Sequence, residues 1–179
     1  MQSYSNTYGC LEKLEKMTTE LASLEKCVGF SIGTRPDCID EEKLRLLASL
    51  PFQTKWIEFG IQSMHDETLK RIRRGHSVQC SVDAITRSRK YNLNVCVHLM
   101  AGIPGETKEN FLDTVREVCK LPVQGIKLHG LYVCKNTQLA KDYRANAYTP
   151  MEQEDYIRLI CDALCIIPSN IAIHRLTAD

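Results

Sequence analysis

Polar side chains occur at or near the carboxyl ends of four short apolar runs in this sequence. They are Arg35 after the first run, Glu58 and Gln62 with the second, His98 in the third, and Lys127 and His129 in the fourth. Burying a carboxylate, amide, imidazole or ammonium group without a partner costs free energy, so each group needs a hydrogen bond or a ligand. Because the pattern repeats, it predicts one pocket shared by the four runs. An ion pair between Glu58 and Lys127 across the core is the alternative.

A glycine-rich turn, Gly102-Ile103-Pro104-Gly105, follows the third run. Its glycines allow the backbone to approach a ligand closely, and Pro104 holds Ile103 extended. The turn is therefore a candidate ligand contact, although the same residues also make an ordinary turn between a strand and a helix. Its spacing differs from that of a Walker or dinucleotide-binding loop, so a nucleoside triphosphate site is not predicted.

The most basic segment spans residues 69–76 and contains Lys70, Arg71, Arg73 and Arg74. A solvated helix face accounts for most of these cations. Arg74 stands beside Gly75 at the predicted end of the helix. It is the candidate to turn inward, where a guanidinium can bind a carboxylate through two parallel hydrogen bonds.

Nine cysteines are scattered along the 179 residues. No two are spaced as Cys-x-x-Cys and their number is odd, so a secreted disulfide framework is not predicted. Cys161 and Cys165 would share one helix face and could contact a metal, but no histidine or second pair lies near them in sequence.

Composition is typical of a globular protein, with 44% hydrophobic and 25% charged residues. No apolar run approaches the roughly 20 residues that span a bilayer, and no signal peptide is evident. We expect one cytoplasmic domain over residues 1–179.

Short strands alternate with amphipathic helices along the chain. The predicted strands are Cys27–Ile32, Trp56–Ile61, Asn94–Ala101, Gly125–Val133 and Ile171–Leu176. The predicted helix N-caps are Asp40, Asp66, Ser77 and Thr107. A longer helix over about Met151–Cys165 is predicted to turn Tyr156, Ile157, Ile160 and Leu164 inward. This order predicts an α/β fold with a parallel sheet, and the units are too few for a closed eight-stranded barrel. We therefore expect an incomplete (βα) parallel barrel with its ligands at the carboxyl ends of the strands.

Four motifs together resemble the radical S-adenosylmethionine (SAM) superfamily. They are Thr34-Arg35-Pro36-Asp37, Glu58-Phe59-Gly60-Ile61-Gln62-Ser63, Leu69-Lys70-Arg71 with Arg74-Gly75-His76, and His98-Leu99-Met100-Ala101-Gly102-Ile103-Pro104-Gly105. Their order and spacing match over about residues 29–140. The likeness is to the Elongator catalytic subunit and the anaerobic coproporphyrinogen oxidase-like barrels. An uncharacterised bacterial radical SAM group is similar as well, and it shares the opening Gln2-Ser3-Tyr4.

The resemblance implies a partial TIM barrel and a cytoplasmic Fe–S oxidoreductase. In this superfamily a Cys-x-x-x-Cys-x-x-Cys motif binds a [4Fe–4S] cluster, which cleaves SAM reductively to a 5′-deoxyadenosyl radical that acts on the substrate. The chain has no such motif. It is therefore expected to be the carboxy-terminal part of the barrel, without the first strand and the cluster loop, and inactive alone. An edge-strand dimer of the fragment is a candidate assembly.

The resemblance also implies roles for individual residues toward SAM. Gln62 resembles a residue that binds the ribose, Arg74 one that binds the methionyl carboxylate, and His98 stands where relatives place a ribose-binding aspartate. Met100 and the turn from Gly102 to Gly105 resemble the part that encloses the adenine. The expected cofactor-binding residues are Arg35, Glu58, Gln62, Arg74, His98, Met100, Gly102 and Gly105.

Two other interpretations stay open, and the substrate is not predicted. A non-catalytic RNA-binding module could use the basic segment 70–76, and tRNA is imaginable from the Elongator likeness. The formal net charge of +1 and the lack of an aromatic–basic stripe count against it. A metal-free enzyme with His98 or His129 as general acid–base is the second alternative.

Overall fold

Five parallel strands form one open sheet, in which neighbours in space are neighbours in the chain. The computed structural model describes residues 5–177, so the predicted likeness of Gln2-Ser3-Tyr4 lies outside the described residues. The strands are β1 (Gly29–Thr34), β2 (Thr54–Gln62), β3 (Asn94–Ala101), β4 (Gly125–Gly130) and β5 (Ala172–Arg175). Their order is β1-β2-β3-β4-β5, and every described pair is parallel. The predicted α/β fold with an incomplete parallel barrel is confirmed.

Helices connect the strands, as a parallel sheet requires. They are α1 (Leu11–Ala22), α2 (Glu41–Ser49), α3 (Asp66–Arg71), α4 (Val78–Lys90), α5 (Lys108–Cys119), α6 (Gln138–Arg144) and α7 (Gln153–Ile166), with a 3-10 turn at Pro36–Cys38. Within residues 5–177, none of these helices combines the length and the apolar character needed to cross a bilayer.

Alternation along the strands gives the sheet one apolar face and one polar face. In β2, Ile57, Phe59 and Ile61 are fully buried in the core, which also contains Phe111 of α5. Successive strand side chains point to opposite faces. Glu58 therefore lies on the face turned away from the core helices, where polar residues of β3 and β4 meet it.

Three of the four predicted N-caps are confirmed. Asp40 accepts a hydrogen bond from the Lys43 amide at 2.9 Å, Ser77 caps α4, and Thr107 forms a capping box with Asn110. Asp66 is wrong as a cap, because α3 begins at this residue and His65 holds the N-cap position. The Asp66 carboxylate instead accepts from the Val78 amide at 2.8 Å and links α3 to α4.

Some predicted boundaries and orientations are also wrong. β1 continues to Thr34 because Gly33 and Thr34 pair with β2, and β4 stops at Gly130 because its pairing with β3 ends there. In α7 the buried residues are Leu159, Ile160 and Ala163. Ile157 and Leu164, predicted to face inward, are 51% and 37% exposed. Helix α7 is apolar on more than one face, so the sequence does not specify which face packs on the sheet.

Replacing Phe59 with alanine should lower the free energy of unfolding by about 3–5 kcal/mol, because the ring is fully buried and its loss leaves a cavity. Leu24→Ala is the matched control, since Leu24 is 57% exposed and should cost less than about 0.5 kcal/mol. Urea unfolding measures both variants. Similar losses for the two would contradict the assigned core.

Candidate functional site

A cavity of about 330 Å³ lies at the carboxyl ends of the first strands and brings several of the predicted residues together. The predicted residues that line it are Arg35, Glu58, Gln62, Arg74 and His98. They come from β2, β3 and the segments that follow β1 and α3, so only the parallel arrangement of the strands makes them neighbours. Their convergence is a geometric fact, and their binding of a cofactor stays a prediction.

Glu58 is the centre of a buried polar network. Its carboxylate accepts hydrogen bonds from Lys127 Nζ at 2.6 Å, from His98 Nε2 at 2.7 Å and from Ser31 Oγ at 2.5 Å. Glu58 is 3% exposed and Lys127 5%. Burial by itself would raise the pKa of the Glu58 carboxyl, but the three hydrogen bonds outweigh it and lower the pKa well below its usual range. The ion pair with Lys127, which the sequence left as an alternative, is therefore present, and Glu58 still borders the cavity.

His98 is fixed by this carboxylate. The Glu58 oxygen can only accept, so Nε2 of His98 carries the proton that lies between them. In the neutral ring, Nδ1 is then the acceptor, and no hydrogen bond within residues 5–177 engages it. His98 can therefore accept a hydrogen bond from a hydroxyl group placed in the cavity.

Arg74 turns inward, as the sequence predicts. Its Nε and Nη2 donate to the carbonyl oxygen of Gly60 at 3.1 and 2.6 Å. Burial, with a smaller contribution from the nearby Arg35, lowers the pKa of the guanidinium. The contact with Gly60 occupies one edge of the group, which leaves the Nη1–Nη2 edge to bind an anion.

Gly60 and Gln62 shape the floor of the cavity. A Cβ atom at residue 60 would lie 2.6 Å from Arg74 Nη2 and 2.8 Å from Gln62 Nε2, so any other side chain here would displace these two groups. Gln62 has a φ of 70°, in the left-handed region that a non-glycine residue rarely adopts. Its buried Oε1 has no hydrogen-bond partner within residues 5–177. A strained residue with an unpartnered buried oxygen is suited to hold a hydroxyl donor.

Arg35 contributes a second cation to the cavity. Its Nε donates to Asp37 Oδ1 at 2.9 Å, and its Nη2 contacts Asp37 Oδ2 as well. The other side of the group packs against Gly75, where a Cβ would be 3.2 Å from Arg35 Nη2. The Asp37 carboxylate offsets much of the Arg35 charge, so Arg74 is the main cation that this end of the cavity offers to a carboxylate.

Met100, Gly102 and Gly105 are predicted site residues that do not line this cavity. Tyr148 donates to the Gly102 carbonyl at 2.8 Å, on the side of the turn near α7. Gly105 packs against Arg71, whose Nη1 donates to the Pro104 carbonyl at 3.0 Å. Arg71 is exposed, as predicted for a solvated helix face, but its contact with the turn was not predicted.

Two contributions were missed from the sequence. Ser31 lies two residues before Gly33 on β1, so strand alternation could have placed it on the polar face beside Glu58. Tyr148 belongs to a loop far along the chain, and no sequence pattern indicates its contact with Gly102.

His129 lies beside His98, with ring centroids 5.3 Å apart. Burial, with smaller contributions from the cationic groups of Arg175 and Lys127, lowers the pKa of His129 to about 4. An imidazole that is neutral over the whole range near pH 7 and holds its proton weakly is a poor general base. The site therefore gives little support to His129 as the general base of a metal-free enzyme.

A larger apolar cleft, of about 860 Å³, lies next to α7. It was not predicted. Its walls include exposed apolar side chains, namely Tyr132, Tyr143, Ile157, Leu164 and Leu176. It contains few polar groups and none of the predicted site residues.

The nine cysteines do not form a metal centre or a disulfide among themselves. All nine lie within the described residues and are unpaired. Over residues 5–177, no three His, Cys, Asp or Glu side chains are close enough together to hold a metal ion. The described residues therefore do not fit an iron–sulfur cluster.

Comparison with known proteins gives consistent matches. The family model "Radical SAM superfamily" matches residues 6–118, and "Radical_SAM C-terminal domain" matches residues 123–179. The uncharacterized protein YtqA of Bacillus subtilis (strain 168) is 37% identical over 179 residues, which are 99% of this chain and 56% of YtqA. A tRNA uridine(34) acetyltransferase of Dehalococcoides mccartyi (strain CBDB1) is 32% identical over 174 residues, 96% of this chain and 37% of that protein. The chain thus spans about half the length, or less, of these curated relatives.

A solved structure agrees with the fold. The archaeal Methanocaldococcus infernus Elp3 with an N-terminal deletion superposes with a TM-score of 0.79 at 28% identity. The match covers 93% of this chain and 39% of that chain.

Replacing Glu58 with glutamine should lower the free energy of unfolding at pH 7 by roughly 3 kcal/mol, because it leaves the buried Lys127 ammonium without its counter-charge. The double variant Glu58→Gln/Lys127→Met is the control and should recover most of the loss, since it removes both charges. Urea unfolding of the three proteins measures the effect. No recovery in the double variant would contradict the assignment of the loss to the unpaired ammonium.

The difference in free energy of unfolding between wild type and Glu58→Gln should depend on pH. The pKa of Glu58 is lower in the folded chain, so the unfolded chain takes up a proton first as the pH falls below about 4.3. Wild type loses the contribution of Glu58 in that range, whereas Glu58→Gln has none to lose. The stability difference between them should narrow below about pH 4, as measured by urea unfolding at each pH. A constant difference would show that the charge of Glu58 is not its cause.

Proposed function

The chain belongs to the radical SAM superfamily, and we propose that it supplies the SAM-holding part of an enzyme that cleaves SAM to a 5′-deoxyadenosyl radical. The observation that supports this most is the cavity at the strand ends, with the free edge of Arg74, the missing side chain of Gly60 and the unpartnered oxygen of Gln62. These groups match a ligand that carries a carboxylate next to hydroxyl groups.

Each residue has a proposed role toward SAM. Arg74, through its Nη1–Nη2 edge, would bind the methionyl carboxylate, and Arg35 would add positive charge. Gln62 would accept a hydrogen bond from a ribose hydroxyl at Oε1, and His98 would accept another at Nδ1. Glu58 would act through His98, by holding its ring and its proton. Met100 and the turn from Gly102 to Gly105 would enclose the adenine.

The [4Fe–4S] cluster would come from outside this sequence. A cluster, when bound, supplies the electron that cleaves SAM. The scattered cysteines of this chain do not provide its ligands, and the chain covers only 56% of YtqA. We therefore propose that residues 1–179 form one domain, the carboxy-terminal part of the barrel, and that it is inactive alone. We call this chain together with a segment that binds the cluster the cluster-bearing protein.

The substrate is a separate question, for which tRNA is one candidate. It is supported by the 32% identity to a protein named tRNA uridine(34) acetyltransferase. The alternative of a non-catalytic RNA-binding module is less well supported, because its basic segment is partly committed elsewhere. Arg71 and Arg74 donate to backbone carbonyls, and Lys70 pairs with Glu67 at 2.9 Å. A SAM-binding role for Arg74 accounts for its inward position, which RNA binding would not require.

Replacing Arg74 with alanine in the cluster-bearing protein should weaken SAM binding by roughly ten- to a hundred-fold, as expected when a charge-assisted bidentate contact is lost. Arg74→Lys should recover only part of the affinity, because an ammonium cannot reproduce the planar fork. Anaerobic equilibrium dialysis with labelled SAM measures the dissociation constants.

Arg73→Ala is the matched control, because Arg73 is an exposed cation next to Arg74 in the chain. Its affinity for SAM should stay within about two-fold of wild type. Equal losses at Arg73 and Arg74 would indicate a diffuse basic patch and would favour the RNA-binding alternative. Circular dichroism of each variant establishes that the fold is retained.

A further inference from the structure

Arg71 makes a contact that its exposed position does not suggest. It is the last residue of α3, yet its Nη1 donates to the Pro104 carbonyl at 3.0 Å, across 33 positions of sequence. Gly105 follows with a φ of 78°. A Cβ at residue 105 would lie 2.6 Å from Cζ of Arg71, so the guanidinium occupies the space that any other side chain at this position would need.

The same turn has two further attachments. Glu106, the next residue, accepts a hydrogen bond from Ser63 Oγ at 2.5 Å. At the other end of the turn, Tyr148 donates to the Gly102 carbonyl at 2.8 Å. Arg71 is the attachment that reaches the middle of the turn, where Pro104 has no amide hydrogen of its own to hold it.

We infer that Arg71 is a positioning residue, which fixes the turn from Gly102 to Gly105 and so sets the affinity for the adenine end of the cofactor. The second half of this inference rests on the proposed function, in which this turn encloses the adenine. Arg71 thereby differs from Arg74, which faces the cavity proposed for the methionyl end. The two arginines lie three residues apart in sequence, but they act on opposite ends of one ligand.

Hydrogen exchange of this chain tests, without any cofactor, whether Arg71 fixes the turn. We call this contact of Arg71 with the turn the clamp. The Glu106 amide donates to the Ile103 carbonyl at 3.0 Å within the turn and reports on its opening. In Arg71→Ala this amide should exchange roughly two- to ten-fold faster, the loss expected for one hydrogen bond that solvent can replace. Arg71→Lys should restore part of the protection, because an ammonium can still donate to the carbonyl.

Lys70→Ala is the matched control, since Lys70 is an exposed cation of the same helix whose ammonium pairs with Glu67 and not with the turn. It should leave exchange of the turn unchanged. No change in Arg71→Ala would overturn the inference. Faster exchange spread equally over β2 and α5 would also overturn it, because that pattern indicates general destabilisation.

Binding of 5′-methylthioadenosine to the cluster-bearing protein tests the link to the adenine. This compound carries the adenine and ribose but no methionyl carboxylate. Arg71→Ala should weaken its binding roughly two- to ten-fold, and Lys70→Ala should not. If exchange of the turn rises while the affinity stays at the wild-type value, the clamp stands and the proposed adenine position is wrong. If wild type does not bind the compound at all, the proposed SAM site fails instead.

Discussion

The Glu58 carboxylate is the contact on which the polar face of the sheet depends. It lies on β2 and accepts hydrogen bonds from β1, β3 and β4, so one buried anion joins four strands. Such a group adds little net stability, because its desolvation offsets most of the attraction to its partners. Removing one member is costly, however, and the network therefore specifies a register in which the polar side chains face one another.

This network explains why the cavity sits where it does. Beyond Glu58, β2 continues with Gly60 and ends at Gln62, whose left-handed backbone turns the chain away from the sheet. The missing side chain at Gly60 leaves room for Arg74, which reaches back over the end of the strand. An anchored carboxylate, a glycine and an inward arginine thus produce an anion site next to groups that accept hydrogen bonds. The larger apolar cleft beside α7 has no comparable set of polar groups.

The sequence predicted the parts of this arrangement that depend on local patterns. The alternation of strands with helices predicted the parallel sheet, and the Ser77 and Thr107 helix caps were recognisable. Arg74, beside Gly75, was expected to turn inward. The contact of Arg71 with Pro104 was not predictable, because it joins two segments 33 positions apart whose approach only the fold determines. The predictions of the buried face of α7 and of the end of β4 were wrong for a related reason. Helix α7 is apolar on more than one face, so the sequence does not mark which face packs on the sheet. The apolar run of β4 continues past Gly130, where its pairing with β3 stops, and the sequence does not mark that point either.

The most direct test of the proposed SAM site is a crystal structure of the cluster-bearing protein with SAM bound. The methionyl carboxylate should lie within hydrogen-bond distance of the Nη1–Nη2 edge of Arg74, with ribose hydroxyls at Gln62 and His98. The adenine should lie against the turn from Gly102 to Gly105. SAM bound in the apolar cleft beside α7, or with its carboxylate away from Arg74, would contradict it.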